Sequence, residues 1–305
     1  MAIQTLTLTP LSDTLAHFNA WGQGISNGIL AAGLTKTADT GQINWGTNAT
    51  IPSTTSQTIG YEVWQFTDAL QSTAPVYVRL GYGSNGSQAS TPQITVTVGT
   101  ATNGAGTITA SGLYGAAVLT NSVFANSGVW ASSSSATLYI DSDSGSSLMI
   151  AGWGYAGSTV AGTAFCIERT RNWDGTPNNE GVVMMSQSNA YNAALITANA
   201  GSIAAVTYNG FVSPSGGVVV SSSSGVVGGT LYTNPVFTGC TPRLNGPSKH
   251  LLGLAAVGDM VPITQVVAVT HYGASHNFVR PTGSSTSLYS LNNSSFFYPI
   301  VRVSY

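Results

Sequence analysis

The sequence predicts a mainly β protein, built of β-sandwich or jelly-roll-like meanders with one N-terminal amphipathic helix. Three observations carry this expectation. Segments rich in Val, Ile, Thr, Tyr, Phe and Trp recur along the chain, separated by Gly, Ser, Asn and Pro clusters at spacings typical of sandwiches and barrels. Only one long stretch, residues 12–32, places apolar side chains at steps of three and four. No convincing fixed-period repeat is visible, which argues against a propeller or solenoid.

Taken in order, residues 3–8 (IQTLTL) alternate and predict a short strand ending at Pro10. Ser12 or Asp13 then caps the helix, whose apolar stripe is Leu11, Leu15, Phe18, Ile25 and Ile29, broken around Trp21 and Gly22. Gly22, Gly24 and Gly28 each cost about 1 kcal/mol relative to Ala in a helix interior, so the helix must dock, either on the protein's own sheet, which is the expectation, or on a partner subunit. Asp39 to Gly41 supplies a turn before a short strand ending at Trp45.

The densest sheet-forming sequence comes next, between Gly60 and Gly83. Tyr61 to Phe66 carries bulk on both faces and predicts a strand covered on both sides, while Val76, Val78 and Leu80 mark the buried face of a second strand, with Tyr77, Arg79 and Tyr82 off it. Glu62 shares a face with Trp64 and Phe66. Its carboxylate therefore requires a cation, such as Arg79 across the hairpin, or a subunit contact. Gln93 to Val98 alternates as a strand, and Asn103 to Gly106 (NGAG) makes a hairpin connection to a weaker strand, Gly106 to Ala110.

Further strands are expected at 117–124, 136–140, 148–151, 163–170, 181–186, 204–208, 217–220, 261–272 and 297–304, with a short turn over 251–257. The change from helix-plus-meander to meander alone suggests two domains, 1–112 and 113–305. The serine runs 132–135 and 221–224 are too brief to mark a boundary.

Composition narrows the function classes. Asp, Glu, Lys and Arg make up 6% of the 305 residues, against roughly 25% in an ordinary soluble domain. With 43% hydrophobic residues, the surface must be covered by Ser, Thr, Asn, Gln and Gly, and such a surface tolerates extensive contact with neighbouring copies. The formal net charge of -2 gives no basic footprint for nucleic acid. No apolar run approaches the roughly 18 residues of a membrane-spanning helix. The first residues, MAIQTLTLTPLSD, lack the basic and apolar regions of a secretory signal, so synthesis in the cytosol is expected. Cys166 and Cys240 have no metal-ligand spacing and read as reduced thiols.

Several motifs invite chemistry. Gly81 to Gly86 matches GxGxxG after a strand, but Pro92 and a strand follow where a dinucleotide site needs a helix, so a glycine-rich hairpin loop is expected. Asp141 and Asp143 lie on a tight turn that reads as solvated, since two aspartates fall short of the six to eight oxygens calcium takes. Asp174 with Asn178, Asn179 and Glu180 forms a second acidic loop. His271 and His276 make a weak metal pair, and there is no G-x-S-x-G around a serine. No catalytic residue, metal site or cofactor is expected. Among the aromatics, Trp153, Tyr155 and Trp173 lie beside Gly-rich loops and are the candidates for stacking on a sugar.

Five segments together carry a resemblance: FNAWGQGISNGILAAGLTKTADTGQINW (18–45), GYEVWQFTD (60–68), APVYVRLGYG (74–83), QITVTVGTATNGAGT (93–107) and FCIERTRNWDGTPNNEGV (165–182). The chain resembles a group of tailed-bacteriophage virion structural proteins encoded among tail and fibre genes. That resemblance implies a non-enzymatic, multi-copy component of the tail, baseplate or fibre-attachment region, made in the host cytoplasm and ending in the virion. Its implied partners are copies of itself and other virion proteins, with no nucleic acid and no membrane insertion. The alternatives are a receptor-binding module of a tail fibre that recognises host surface glycan, and a capsid decoration protein.

Overall fold

The computed structural model describes the backbone of residues 4–8, 14–52, 57–84, 92–110, 117–119, 136–156, 159–171, 174, 176–187, 204–208, 219–220, 232–240, 243–256, 266–271, 274–279, 289–291 and 295–304. Side chains are described for 14–52, 57–83, 94–109, 138–150, 167–169, 174, 176 and 275–277. In chain order the elements are β1 (Gln4–Leu8), α1 (Leu15–Ala32), β2 (Thr35–Lys36), β3 (Gln57–Gln65), β4 (Tyr77–Ser84), β5 (Pro92–Gly99), β6 (Ala101–Thr102), β7 (Ile108–Ala110), β8 (Ala117–Leu119), β9 (Ala136–Asp141), β10 (Ser147–Ala156), β11 (Thr159–Arg171), β12 (Pro177–Gln187), β13 (Ala204–Tyr208), β14 (Val219–Val220), β15 (Tyr232–Cys240), β16 (Arg243–Ala256), β17 (Val266–His271), β18 (Ala274–Val279), β19 (Tyr289–Leu291) and β20 (Ser295–Ser304).

The described strands pair antiparallel in four sheets. One runs β2-β3-β4-β5-β8, a second β1-β9-β10-β11-β12-β13, and a third β14-β15-β16-β20-β18-β17 with β19 beside β20; β6 and β7 form a separate hairpin. The fold is thus mainly β with a single α-helix among the described residues.

The helix starts one residue later than Asp13, and two later than Ser12, would place it. Thr14 is the N-cap, in extended geometry, and its Oγ1 accepts from the His17 N–H at 3.3 Å. The C-terminus closes in a Schellman motif. Gly33 at φ 111° donates to the Leu30 carbonyl, and Leu34 N donates back to Ile29 O at 3.3 Å. Leu34 and Ile29 are both buried, which supplies the hydrophobic contact of that motif.

The buried stripe of α1 is Phe18, Trp21, Gly22, Ile25, Ser26, Ile29 and Ala32. Trp21 and Gly22 therefore continue the stripe that the sequence reading broke there. A Cβ on Gly22 would lie 2.1 Å from Trp45 Cη2, so the glycine is the groove into which the Trp45 ring fits. Phe18, Trp21, Trp45 and Tyr82 form one aromatic group, in which Trp21 and Trp45 meet Tyr82 edge-on at 5.8 and 4.9 Å. No strand ends at Trp45. After β2 the chain leaves the sheet, turns through Gly41 at φ 79°, and is tied back to β3 by scattered bonds, Thr37 N to Val63 O, Val63 N to Gln42 Oε1 and Ile43 N to Tyr61 O.

Against this helix face pack Trp64 and Phe66, then Val78, Leu80 and Tyr82 of β4, and Ile94, Val96 and Val98 of β5. Tyr82 therefore belongs to the buried face with Val78 and Leu80, because all three are even-numbered positions of one strand. The same core takes in Leu138 and Ile140 of β9, Leu148 and Ile150 of β10, and Ile167 of β11. Residue 113, the expected boundary, lies outside the described residues. Core residues come from both sides of it.

Beyond residue 130 the strands read from alternation are present within the described residues, several of them longer than expected. The 251–257 segment is a correction: 251–256 is the end of the 14-residue strand β16 and pairs with β20 from Leu251↔Val301 to Ala256↔Phe296.

Candidate functional site

Among the described side chains, three hydrogen-bonded clusters of charged groups involve α1, the five-stranded sheet and the segments next to them. Glu62 is fully buried on the helix-facing side of β3. Its Oε1 accepts from Ser26 Oγ and from Lys36 Nζ, each at 2.8 Å, and its Oε2 accepts from the Tyr82 hydroxyl at 2.7 Å. The cation is Lys36, not Arg79. Register explains the correction: Arg79 stands opposite Val63, on the other face of the sheet, whereas Lys36 pairs with Trp64 across β2 and β3. Arg79 instead lies over the Tyr61 ring at 4.7 Å, and burial lowers its guanidinium pKa against an opposing effect of Tyr61. Burial, the Glu62 charge and the hydrogen bond to Glu62 together push the Tyr82 phenol well above its ordinary value.

With three donors on two oxygens, Glu62 ties α1, β2, β3 and β4 together. A carboxylate so deeply buried is tolerated only when paired and hydrogen-bonded, as it is here.

A second clamp joins the sheets. Arg169 of β11, fully buried, donates from Nε to Asp68 Oδ2 at 2.5 Å and from Nη2 to Asp68 Oδ1 at 2.9 Å. Its Nη1 donates to the Ala74 carbonyl at 2.9 Å, and its guanidinium lies over Phe66. This forked geometry suits Arg and no other cation.

The third is Asp39, which holds hairpin β6–β7. Its Oδ1 accepts from Thr37 Oγ1 at 2.7 Å, and its Oδ2 accepts from Thr102 Oγ1 and from the Gly106 N–H, the latter at 2.8 Å. Burial raises the Asp39 pKa, but the bonds from Thr102, Thr37 and Gly106 outweigh it and hold the carboxyl below its ordinary value. Gly106, at φ 81°, leaves room for the Tyr61 ring, which a Cβ would meet at 2.1 Å.

The Asp141–Gly145 turn is not the solvated turn expected. Asp141, Ser142, Ser146 and Ser147 are buried, and the turn caps the helix: Ser142 Oγ donates to the Ala32 carbonyl, and Thr67 N donates to Gly145 O at 2.9 Å. Asp143, Ser144 and Gly145 take positive φ of 43, 61 and 86° to make this docking. No group of three His, Cys, Asp or Glu able to hold a metal ion occurs among the described residues. Asp174 is exposed and accepts from Thr176 Oγ1 at 2.6 Å and Thr176 N at 2.9 Å, which lowers its pKa.

Of the sugar candidates, Trp153 and Tyr155 occupy alternate positions of β10, opposite Gly162 and Val160. Alternation puts them on one sheet face. Their side chains, and all of Trp173, lie outside the described residues. His271 and His276 lie two register pairs apart on β17 and β18, in the pairs His271↔Ala274 and Val269↔His276. Cys166 is in β11 and Cys240 in β15. Gly81 and Gly83 belong to β4, and residues 85–91 lie outside the described residues. A Cβ on Gly83 would sit 1.8 Å from Gln57 O, so the glycine serves close strand approach.

Sequence reasoning missed Ser26, Lys36 and Tyr82 as partners of Glu62, and the Asp68–Arg169 and Asp39–Thr102 pairs. One signal was available: with two lysines in the chain, a buried Glu beside Lys36 restricts the choice of cation. Comparison of the chain with protein-family models, curated proteins and solved structures finds no match.

Proposed function

We propose that this chain is a structural protein of a tailed-bacteriophage virion, present in many copies in the tail, baseplate or fibre-attachment region. In this reading its strands form sandwich or jelly-roll-like layers, and its partners are copies of itself and other virion proteins. The observation that carries it is the placement of charge. Lys36, Asp39, Glu62, Asp68, Arg79, Asp141, Asp143, Glu168 and Arg169 are all buried or half-buried, and Asp174 is the one exposed charged residue among the described side chains. The outer side of α1 exposes Ala16, Ala20, Asn27, Leu30 and Ala31, again without charge. Surfaces of this kind carry little repulsion between identical copies and favour closed symmetric assembly. Electron microscopy of the purified particle tests the reading: repeated density that fits α1 packed on the five-stranded sheet supports it, and particles lacking the protein rule it out.

A second reading is a module that binds host surface glycan. Trp153 and Tyr155 on one face of β10 favour it, since sugars stack on aromatic rings. A glycan array that gives hits lost in Trp153→Ala or Trp173→Ala supports this reading; an array without hits eliminates it.

A further inference from the structure

Hairpin β6–β7 turns through Asn103–Gly104, both exposed, with Gly104 at φ 75° and nothing within 4 Å of where its Cβ would lie. We infer that Asn103 is a site of self-modification, where the Gly104 backbone nitrogen attacks the Asn103 side-chain amide and converts the residue through a succinimide to aspartate or isoaspartate.

The groups the reaction needs are assembled around it. The nucleophile is Gly104 N, whose N–H donates to Thr102 Oγ1 at 3.3 Å. Thr102 Oγ1 donates in turn to Asp39 Oδ2, so the proton has a path from the nitrogen through a hydroxyl to a carboxylate. The electrophile is Asn103 Cγ. Its Oδ1 accepts from Ala105 N at 2.8 Å and from Thr107 N at 3.0 Å, two backbone donors aimed at the oxygen on which charge develops. Gly104, without a side chain, adds no bulk against the closing ring.

The step balances without an oxidant or cofactor. The Gly104 N to Asn103 Cγ bond forms, the Cγ to Nδ2 bond breaks, and Nδ2 leaves as ammonia carrying the proton that Gly104 gave up. Water then opens the ring at either carbonyl. Opening at one restores the main chain with Asp at 103; opening at the other gives isoaspartate, which inserts an extra methylene between Thr102 and Gly106. Those two residues both donate to Asp39 Oδ2, so the isoaspartyl form cannot keep both tethers and the hairpin loosens.

The other Asn–Gly dipeptide among the described side chains lacks this arrangement. Asn27–Gly28 is inside α1, where the Gly28 N–H is held in the helical ladder and Asn27 Oδ1 accepts from Gln23 Nε2 at 2.8 Å. Exposure alone would make Asn27 and Asn103 equally reactive. The relay and the two donors make Asn103 the reactive one.

The test is peptide mapping by mass spectrometry of the full-length protein held at neutral pH, reading the mass change of amide to acid at each Asn–Gly together with isoaspartate content. Asn103 is expected to convert while Asn27 stays intact. Thr102→Val is expected to slow the conversion by about tenfold or more, and Thr102→Ser to keep the parent rate. An Asn103 that stays intact, or converts no faster than Asn27, overturns the inference. So does a Thr102→Val rate equal to or above the parent's, which would show that loop freedom and not the relay sets reactivity.

Discussion

Gly22→Ala is a sharp probe of how the helix is seated, because propensity and packing predict opposite signs. In an exposed helix interior, replacing Gly by Ala stabilises by about 1 kcal/mol. Here the new Cβ would lie 2.1, 2.2 and 2.5 Å from Cη2, Cζ2 and Cζ3 of Trp45. The ring is rigid, 5% exposed, and held between Phe18 at 5.8 Å and Tyr82 at 4.9 Å, so it cannot swing clear. Overpacking of this kind costs about 1–3 kcal/mol. Set against the propensity gain, the expected net is a loss of about 1 kcal/mol, read from denaturant unfolding with tryptophan fluorescence. Gly28→Ala is the control. Its obstacle is Ile140 Cδ1 at 2.4 Å, the end of a flexible side chain, so the cost is smaller and the net lies near zero. In the double variant Gly22→Ala with Trp45→Leu, the two losses should fall short of additive, since the second removes the obstacle met by the first. A Gly22→Ala protein stabilised by the full propensity gain would refute this seating of Trp45 on α1.

Further outcomes follow from the clamps. Glu62→Ala strands Lys36, Ser26 and Tyr82 and should cost about 3 kcal/mol in equilibrium unfolding, whereas Lys36→Met, from a side chain 32% exposed, should cost less. Arg169→Lys should destabilise by about 2 kcal/mol, because an ammonium cannot keep both Asp68 oxygens and the Ala74 carbonyl. Tyr82 gives an alkaline signature: its folded pKa lies above the ordinary 10.0, so above about that pH the unfolded chain binds fewer protons and stability falls as pH rises. Tyr82→Phe should flatten that limb in unfolding measured from neutral to alkaline pH. Asp39 acts in the opposite direction. Its folded pKa is below 3.8, so its contribution is present above that value and is lost as pH falls through the folded one; Asp39→Asn should flatten the acid limb.

What was legible in the sequence was local. Aromatic and β-branched density gave β3, where Glu62, Val63 and Trp64 are buried on both faces, period-two alternation gave β4 and β5, and the three-and-four spacing gave α1. The apparent break at Trp21 and Gly22 misled because a glycine that receives a tryptophan from residue 45 counts as buried without being apolar. The strands β15 and β16 were missed because Pro235, Gly239 and Pro247 interrupt them, and the register shifts where the ladder passes these residues. The partners of Glu62 were illegible for another reason. Ser26 and Lys36 come from 36 and 26 positions away, and only the folded path of α1 and β2 brings them to one carboxylate. The Asp141–Gly145 turn carries ordinary turn residues, so nothing local distinguishes a solvated turn from one that caps a helix.

The central proposal is that copies of this chain associate through uncharged polar surfaces. Light scattering of the purified protein across ionic strength is its most direct test. Because the described charges other than Asp174 are buried or half-buried, the account predicts an assembly larger than one chain whose size does not change from low to high salt. A strict monomer at all concentrations, or an assembly that dissociates as salt screens charge, would contradict it.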